Sequence, residues 1–336
     1  MNGGSGIGAA AGAPPRERID WVDALKGVGI VAVVAGHVWT SGPARDAIYA
    51  VHMPLFFLLS GYTARSLPWR VLLPACLRSL VVPFLCFCAL LLAADFLIEG
   101  LRGVRPIFAD WRQGGWTILM ATEKTRGPFT ILWFIPCLFI ARLAWNALSA
   151  GNRRPDSPAM IPVMLLVYGL ALAGHLWGQW SPLGLLAVPA ALLMLWAGAL
   201  WRHWGMPTRG LVAALAIVAG AALLLAPPLN MKQGDLGWPS LSLAGAAAAT
   251  VLLGLLVQRL PAVPRDVFAR LGRASLGIMY LHVAFIHYLR PHASAPLLFA
   301  LALAASWLIE ALLRRFGPTR RLLLGGVDRN PGRRMG

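Results

Sequence analysis

Ten apolar stretches of about eighteen to twenty residues, separated by short joints that carry arginine, run through this chain. They lie at about 22–40, 47–64, 78–98, 131–149, 159–177, 182–201, 210–227, 241–258, 274–290 and 295–313. Coiled as an α-helix, about 20 such residues cross the ~30 Å of hydrocarbon in a bilayer. Lipid offers the backbone no water, so each crossing must satisfy its own N–H and C=O groups, and stretches of this length do so as helices. Composition agrees, since 58% of the 336 residues are hydrophobic and only 13% are charged. The chain therefore reads as all-α, a polytopic membrane protein with about ten transmembrane helices in one bundle over residues 16–316. Pro54 is expected to kink the second span, which places that span inside the bundle, where neighbours satisfy the freed backbone. Residues 1–15 read as a flexible N-terminal tail without the compact apolar core of a signal peptide, so the first span is expected to act as an uncleaved anchor. Residues 317–336 read as a basic, loop-like cytoplasmic tail on the membrane surface.

The formal charge is +17, and 27 of the 30 basic residues are arginine. Such a balance can mark a nucleic-acid binder, but here the charges occupy the joints between apolar spans. That pattern signals topology and contact with anionic lipid headgroups. With the N-terminus placed in the cytoplasm, Arg16, Arg18, Arg65, Arg70, Arg153, Arg154, Arg202, Arg209, Arg259, Arg265, Arg270 and Arg273 fall inside, as does the basic C-terminal tail. Most of the outer charges sit in one loop, about 99–130, and both termini are expected in the cytoplasm. The richness in Ala, Gly and Arg points to a GC-rich bacterial genome, and the protein is expected in the bacterial inner (cell) membrane. Cys76, Cys86, Cys88 and Cys137 form no C-x-x-C pair and read as small apolar fillers.

Ionisable residues inside membrane spans are costly and tend to face a bundle interior or a wet cavity. Here they are Lys26, His37, His52, Arg78, Asp95, Arg142, His175, His282 and His287. The first span, "DALKGVGIVAVVAGHVW", carries two of them eleven residues apart. At about 100° per residue that is roughly three turns plus ~20°, so Lys26 and His37 share a helix face, about 16 Å apart along the axis. They are too far apart to touch but can meet two ends of one elongated ligand. An ammonium suits phosphate, and an imidazole suits proton transfer near neutral pH. Asp23, about 40° off the same face, can orient Lys26. A lysine snorkelling to headgroups and a histidine at the far interface would show the same spacing. The second span adds His52, Ser60 and Tyr62, and the ninth adds Ser275, Tyr280 and His282. Each of these histidines also reads as an ordinary hydrogen-bonded core residue. There is no G-x-x-x-x-G-K-[ST] loop, H-E-x-x-H, G-x-S-x-G, paired-cysteine zinc pattern or core carboxylate pair. No metal site and no resident cofactor are expected.

Four segments in order resemble the membrane-bound acyltransferase family 3. They are "RIDWVDALKGVGIVAVVAGHVW", "VHMPLFFLLSGY", "GPFTILWFIPCLF" and "LGRASLGIMYLH", and the family's ten-helix domain would cover about residues 16–316. The wording of the first two is similar to the branch that includes fucose 4-O-acetylase-like proteins. The resemblance implies acyl transfer, usually of acetyl from acetyl-CoA, to a hydroxyl of a carbohydrate or similar acceptor. It implies His37 as the catalytic residue and Lys26 as its basic partner in the donor site. Members often carry an R-x-x-R pair at the third helix. Here Ala75 stands where the first arginine of a pair ending at Arg78 would be, which leaves Arg78 as the donor-site candidate from that motif.

These readings combine into an integral membrane O-acyltransferase, with acyl-CoA, a hydroxylated glycan acceptor and membrane lipids as partners and no nucleic acid. His37 would act as general base or be transiently acylated. Asp23, His52, Ser60, Tyr62, Tyr280 and His282 are candidates for supporting the site, with Ser60, Tyr62 and Tyr280 as candidate oxyanion stabilisers. A transporter or flippase for a glycan or small solute would use the same intramembrane residues as a pathway.

Overall fold

The computed structural model describes residues 19–178 and 180–326. The N-terminal tail and residues 327–336 lie outside them. In chain order the α-helices are α1 (Asp20–Val38), α2 (Pro43–Tyr62), α3 (Trp69–Cys76), α4 (Val82–Leu101), α5 (Trp111–Met120), α6 (Phe134–Leu148) and α7 (Met160–Trp177). Then come α8 (Val188–Trp204), α9 (Arg209–Leu225), α10 (Pro239–Gln258), α11 (Ala262–Arg273), α12 (Ser275–Leu289), α13 (Ala295–Leu313) and α14 (Gly317–Leu324). The described residues contain no strand. Seven helical runs are long and apolar enough to cross a membrane, and α9 and α12 are apolar but shorter. The remaining expected span, α2, is less apolar because it carries Arg45, Asp46 and His52.

Three regions differ from the sequence reading. The third span begins at Trp69, not near Arg78, and α3 joins α4 through a π-helical turn, Leu77–Val81, in one 33-residue run. Pro83 has no N–H to give the preceding turn, and a widened turn just before it absorbs that register defect. Residues 262–273, read as a joint, form the helix α11. Part of the C-terminal segment read as a loop is the short helix α14. Its Gly325 lies against Ser79 and the carbonyl of Arg78, and a Cβ there would come within 2.5 Å of Ser79 Cα. α2 stays helical through Pro54.

In lipid, helices associate through close packing, so small residues mark the tightest contacts. Two such contacts set the site's frame. Where α1 meets α11, a Cβ on Gly27 would sit 1.9 Å from the carbonyl oxygen of Phe268, and one on Gly272 would sit 1.7 Å from that of Asp23. Where α2 meets α8, a Cβ on Gly61 would be 1.9 Å from Leu195 O, and one on Gly198 1.9 Å from Leu58 O. Only glycine allows these backbones so near. Around this core, Leu165, Leu166 and Leu170 on α7 and Leu308 on α13 point outward, as suits a lipid-facing surface.

The two ends of the bundle differ. α1 begins, and α2, α6, α8, α10 and α13 finish, at an arginine-rich end. The opposite end is capped by α5 and several short turns. There the buried Thr122 hydroxyl donates to Ser181 O (2.5 Å) and accepts from Gly184 N (3.1 Å), while Glu123 Oε2 accepts from Ser181 N (3.0 Å). Leu236 N donates to His175 Nδ1 (3.1 Å), which fastens the 230–236 loop to the end of α7.

Candidate active site

A cavity of about 770 Å³ opens at the arginine-rich end. Its walls include Asp23, Lys26, Ser60, Phe56, Phe134 and Met279, and it is lined by Arg65, Arg142, Arg202, Arg273 and Arg314. Six cations thus face one carboxylate, Asp23, and the volume lies within the ~300–1,000 Å³ usual for small-molecule and cofactor sites. Lys26 Nζ lies 3.4 Å from Asp23 Oδ1, one turn earlier on α1. Arg202 donates to Tyr62 O (3.2 Å), and Arg314 donates to the buried Glu310 and to Arg273 O (2.6 Å). These contacts fix two of the guanidinium groups, Arg202 and Arg314, at the cavity.

His37 lies in a second, smaller pocket of about 190 Å³ toward the capped end. Its ring has no hydrogen-bond partner among the described residues, while its backbone carbonyl accepts from Arg290 (2.9 Å). Two buried histidines flank it. The His37 and His282 ring centroids are 5.2 Å apart, and Tyr49 bridges toward His52 with centroid distances of 6.4 and 4.9 Å. His52 Nδ1 is 2.8 Å from Ile48 O and His282 Nδ1 is 2.9 Å from Ile278 O. A carbonyl only accepts, so both rings donate from Nδ1, and in the neutral form each has Nε2 as an acceptor. His282 Nε2 is buried and has no partner. Val33, Met53, Ile131, Trp133 and Met279 supply apolar walls, and Arg45, Thr130, Asn230, Lys232 and Gln233 supply polar ones.

Lys26 and His37 share a helix face but line different cavities. Met279, on α12 and only 4% exposed, lines both. Neighbouring residues on two further helical segments divide the same way, with Met53 and Ile131 on the His37 side and Phe56 and Phe134 on the Lys26 side. At Met279 a single side chain borders both cavities.

The structure gathers some sequence candidates and separates others. His37, His52 and His282 come together, as do Asp23, Lys26 and Ser60. Arg78 is exposed on the π-helical turn and does not line the cavity, to which that turn contributes Leu80. Tyr62 packs among Trp21 and Trp201, with ring centroids 5.1 and 5.0 Å away. Tyr280 stacks on Phe87 at 4.2 Å, and its hydroxyl is buried without a partner. None of Ser60, Tyr62 and Tyr280 lines the His37 pocket, and Ser60 lines the larger cavity. Of the five cavity arginines the sequence marks only Arg142, as an ionisable residue inside a span; Arg65, Arg202, Arg273 and Arg314, like the pocket cations Arg45 and Lys232, read there as joint or tail charges. Arg45, Tyr49 and His52 recur at helical spacing on α2, a signal that could have exposed Arg45. Lys232 sits on a three-residue turn and carries no local signal.

One His/Asp/Glu group among the described residues has metal-like spacing: Asp95, Glu99 and His287, with ligand atoms within 4.8 Å of one another. Protein donors already engage it. Tyr288 OH (2.8 Å) and Ile107 N (2.9 Å) bond Asp95, and Arg102 bonds Glu99 (3.1 Å). Asp95 and Glu99 are thus a buried carboxylate pair that the sequence reading did not expect, and the cluster ties α4, α12 and the loop after α4 together.

No match was found among curated proteins. Residues 19–313 match the family described as an acyltransferase domain, from the start of α1 to the end of α13. The matched region holds the whole His37 pocket and all of the larger cavity's lining except Arg314 and Gly325, and with most of its length inside the match this chain belongs to the acyltransferase 3 family and is an integral membrane acyltransferase.

Proposed function

We propose that the protein moves an acetyl group from acetyl-CoA to a hydroxyl of a carbohydrate acceptor, in the manner of the fucose 4-O-acetylase-like branch. The observation that carries this reading is a pair of cavities on one face of α1, one strongly cationic and one built around histidines, sharing Met279 as a wall. The phosphates of coenzyme A suit the cavity of Lys26, Arg65, Arg142, Arg202, Arg273 and Arg314. We assign that end to the cytoplasm, where the donor is made and where arginine-rich joints concentrate. Both termini then lie in the cytoplasm of a bacterial inner membrane, and the acceptor, a cell-envelope glycan, approaches from the capped end.

The pantetheine arm covers the roughly 16 Å between Lys26 and His37 and brings the thioester past Met279. His37 takes the proton of the acceptor hydroxyl as its oxygen attacks the thioester carbonyl. The C–S bond breaks, and the proton passes from His37 to the departing thiolate. His282 Nε2 is an acceptor beside the His37 ring. A small rotation of the neutral His37 ring lets its one N–H donate there, which leaves the other nitrogen to take the hydroxyl proton and steadies the imidazolium that forms. Direct transfer to the hydroxyl needs no acyl-histidine, and the 190 Å³ pocket suits a short acyl group over a long one.

The test is thermal stability of the detergent-purified protein against acetyl-CoA concentration, for wild type and Lys26→Ala. A ligand that binds only the folded state stabilises it by about 2.7 kcal/mol at a hundredfold excess over Kd. A concentration-dependent rise in Tm that weakens in Lys26→Ala supports the donor site. No rise in either protein up to millimolar donor removes coenzyme A from the reading and leaves a transport pathway as the better account of His37.

A further inference from the structure

We propose that the acceptor seated beside His37 is an acidic saccharide, held by Arg45 and Lys232 through a carboxylate or phosphate close to its reacting hydroxyl. This rests on the acyl-transfer reading above and narrows its substrate class.

The His37 pocket is small, and no aspartate or glutamate lines it, yet two full cations do. They come from unrelated parts of the chain. Arg45 stands in the first turn of α2, and Lys232 in the turn Met231–Gln233. Lys232 Nζ donates to Thr125 O and to Thr130 Oγ1 (2.9 Å). An ammonium has three N–H groups, so one remains for a ligand. No carboxylate lies within ion-pair distance of Lys232 among the described residues. Burial pushes the lysine down to about 8 from its ordinary 10.5, against a smaller upward pull from Glu123. An ammonium held in poor solvent without an anion is costly, and an anionic ligand removes that cost.

Arg45 is only partly spent. Its NH1 donates to Asp46 (2.9 Å) and its guanidinium lies 3.8 Å over the Tyr49 ring, but its Nε is buried without a partner. Asp46 lines a different, mostly apolar groove with Pro43, Val51 and Leu223. A neutral sugar would leave both cations in a pocket that no carboxylate lines. A sugar acid satisfies them, and its ring can pack on Trp133 and Tyr49, which line the same space. Held by Arg45 and Lys232, the anion also limits which hydroxyl of the acceptor reaches His37 in the same pocket.

The experiment uses the full-length protein in detergent with saturating acetyl-CoA, so that the larger cationic cavity is occupied. Tm is followed against glucose, glucuronate, glucose 6-phosphate and glycerol 3-phosphate, for wild type, Lys232→Met, Lys232→Arg and Arg45→Gln. The expected result is stabilisation by glucuronate or glucose 6-phosphate but not by glucose. Affinity should fall about 10- to 150-fold in Lys232→Met, the range for one charged hydrogen bond, and be largely restored in Lys232→Arg. Equal responses to glucose and both sugar acids, including no response to any, overturn the proposal. So does a response to glycerol 3-phosphate alone, which would mark a lipid-headgroup site. Should Lys232→Met fail to fold, Arg45→Gln decides, and unchanged glucuronate affinity there counts against the proposal. The acetyl-CoA shift on the same samples separates the two levels. A retained donor shift with no sugar-acid response fells only this inference, whereas an absent donor shift in wild type fells the acyl-transfer reading beneath it.

Discussion

Met279 is the side chain through which the proposed donor and acceptor cavities touch, so its size should control transfer more than donor binding. Swinging a side chain about 30° off its preferred rotamer costs roughly 0.5–1.5 kcal/mol, which corresponds to about 2- to 13-fold in rate at ~1.36 kcal/mol per decade. Met279→Ala removes that barrier and should speed transfer by at most about tenfold. It should cost stability near the lower end of the ~2–5 kcal/mol typical of Met→Ala in a core, because this methionine already borders open space on two sides. Met279→Trp does the reverse. A bulky, stiff ring fills the passage, and displacing it against close packing costs about 1–3 kcal/mol, or roughly 5- to 150-fold in rate. The assay is release of free coenzyme A thiol at saturating acetyl-CoA, with water standing in for the acceptor, beside the acetyl-CoA shift in Tm. Thiol release slowed in Met279→Trp while the donor shift survives is the expected result. Folded Met279→Trp that releases thiol at the wild-type rate would refute passage through this wall.

His37→Ala should lower thiol release and acetyl transfer by about 10²–10⁴-fold and leave the donor Tm shift in place; near-normal turnover would remove His37 from the mechanism. Gly61→Val should destabilise by more than the ~1–3 kcal/mol of ordinary overpacking, because its Cβ would meet the Leu195 carbonyl and not a side chain; a monodisperse protein with an unchanged Tm would show that α2 and α8 are not locked there. For Lys232, the folded value of about 8 lies below the ordinary 10.5. Between those values the unfolded chain keeps a proton that the folded chain has shed, so this residue's contribution to stability rises with pH across that window. Below about 8 both states are charged and burial exerts its full cost. Affinity for a sugar acid should run the opposite way and weaken as pH climbs past 8. Titrations with glucuronate at pH 7 and 9 check this, with Lys232→Arg, which stays charged, expected to show no such loss.

Much of the bundle was legible because membrane helices obey local rules. Length, apolarity and arginine-bearing joints mark them without reference to any neighbour, and nine of the ten expected spans match helices to within a few residues. The errors fall where tertiary contact overrides local pattern. α11 is too polar to look like a span, and its place follows from Gly27 and Gly272 letting it press against α1. The third helix starts early because the π-helical turn lets it continue past Arg78 toward Pro83.

The candidate site divides along the same line. The spacing of Lys26 and His37 on one helix face follows from 3.6 residues per turn alone, as does their separation along the axis, and so the sequence by itself determined that one helix presents a cation and an imidazole at two depths. It could not say that these residues line two cavities and not one, because the wall between them is Met279 of α12, about 240 positions away in the chain. Nor, outside the spans, could it distinguish an arginine that reports topology from one that lines a cavity. Arg65, Arg142, Arg202, Arg273 and Arg314 come from five separate segments and converge only when their helices pack. Lys232 reaches His37 for the same reason, since a three-residue turn has no periodicity to read and its position is set by Thr125 and Thr130, more than a hundred residues earlier.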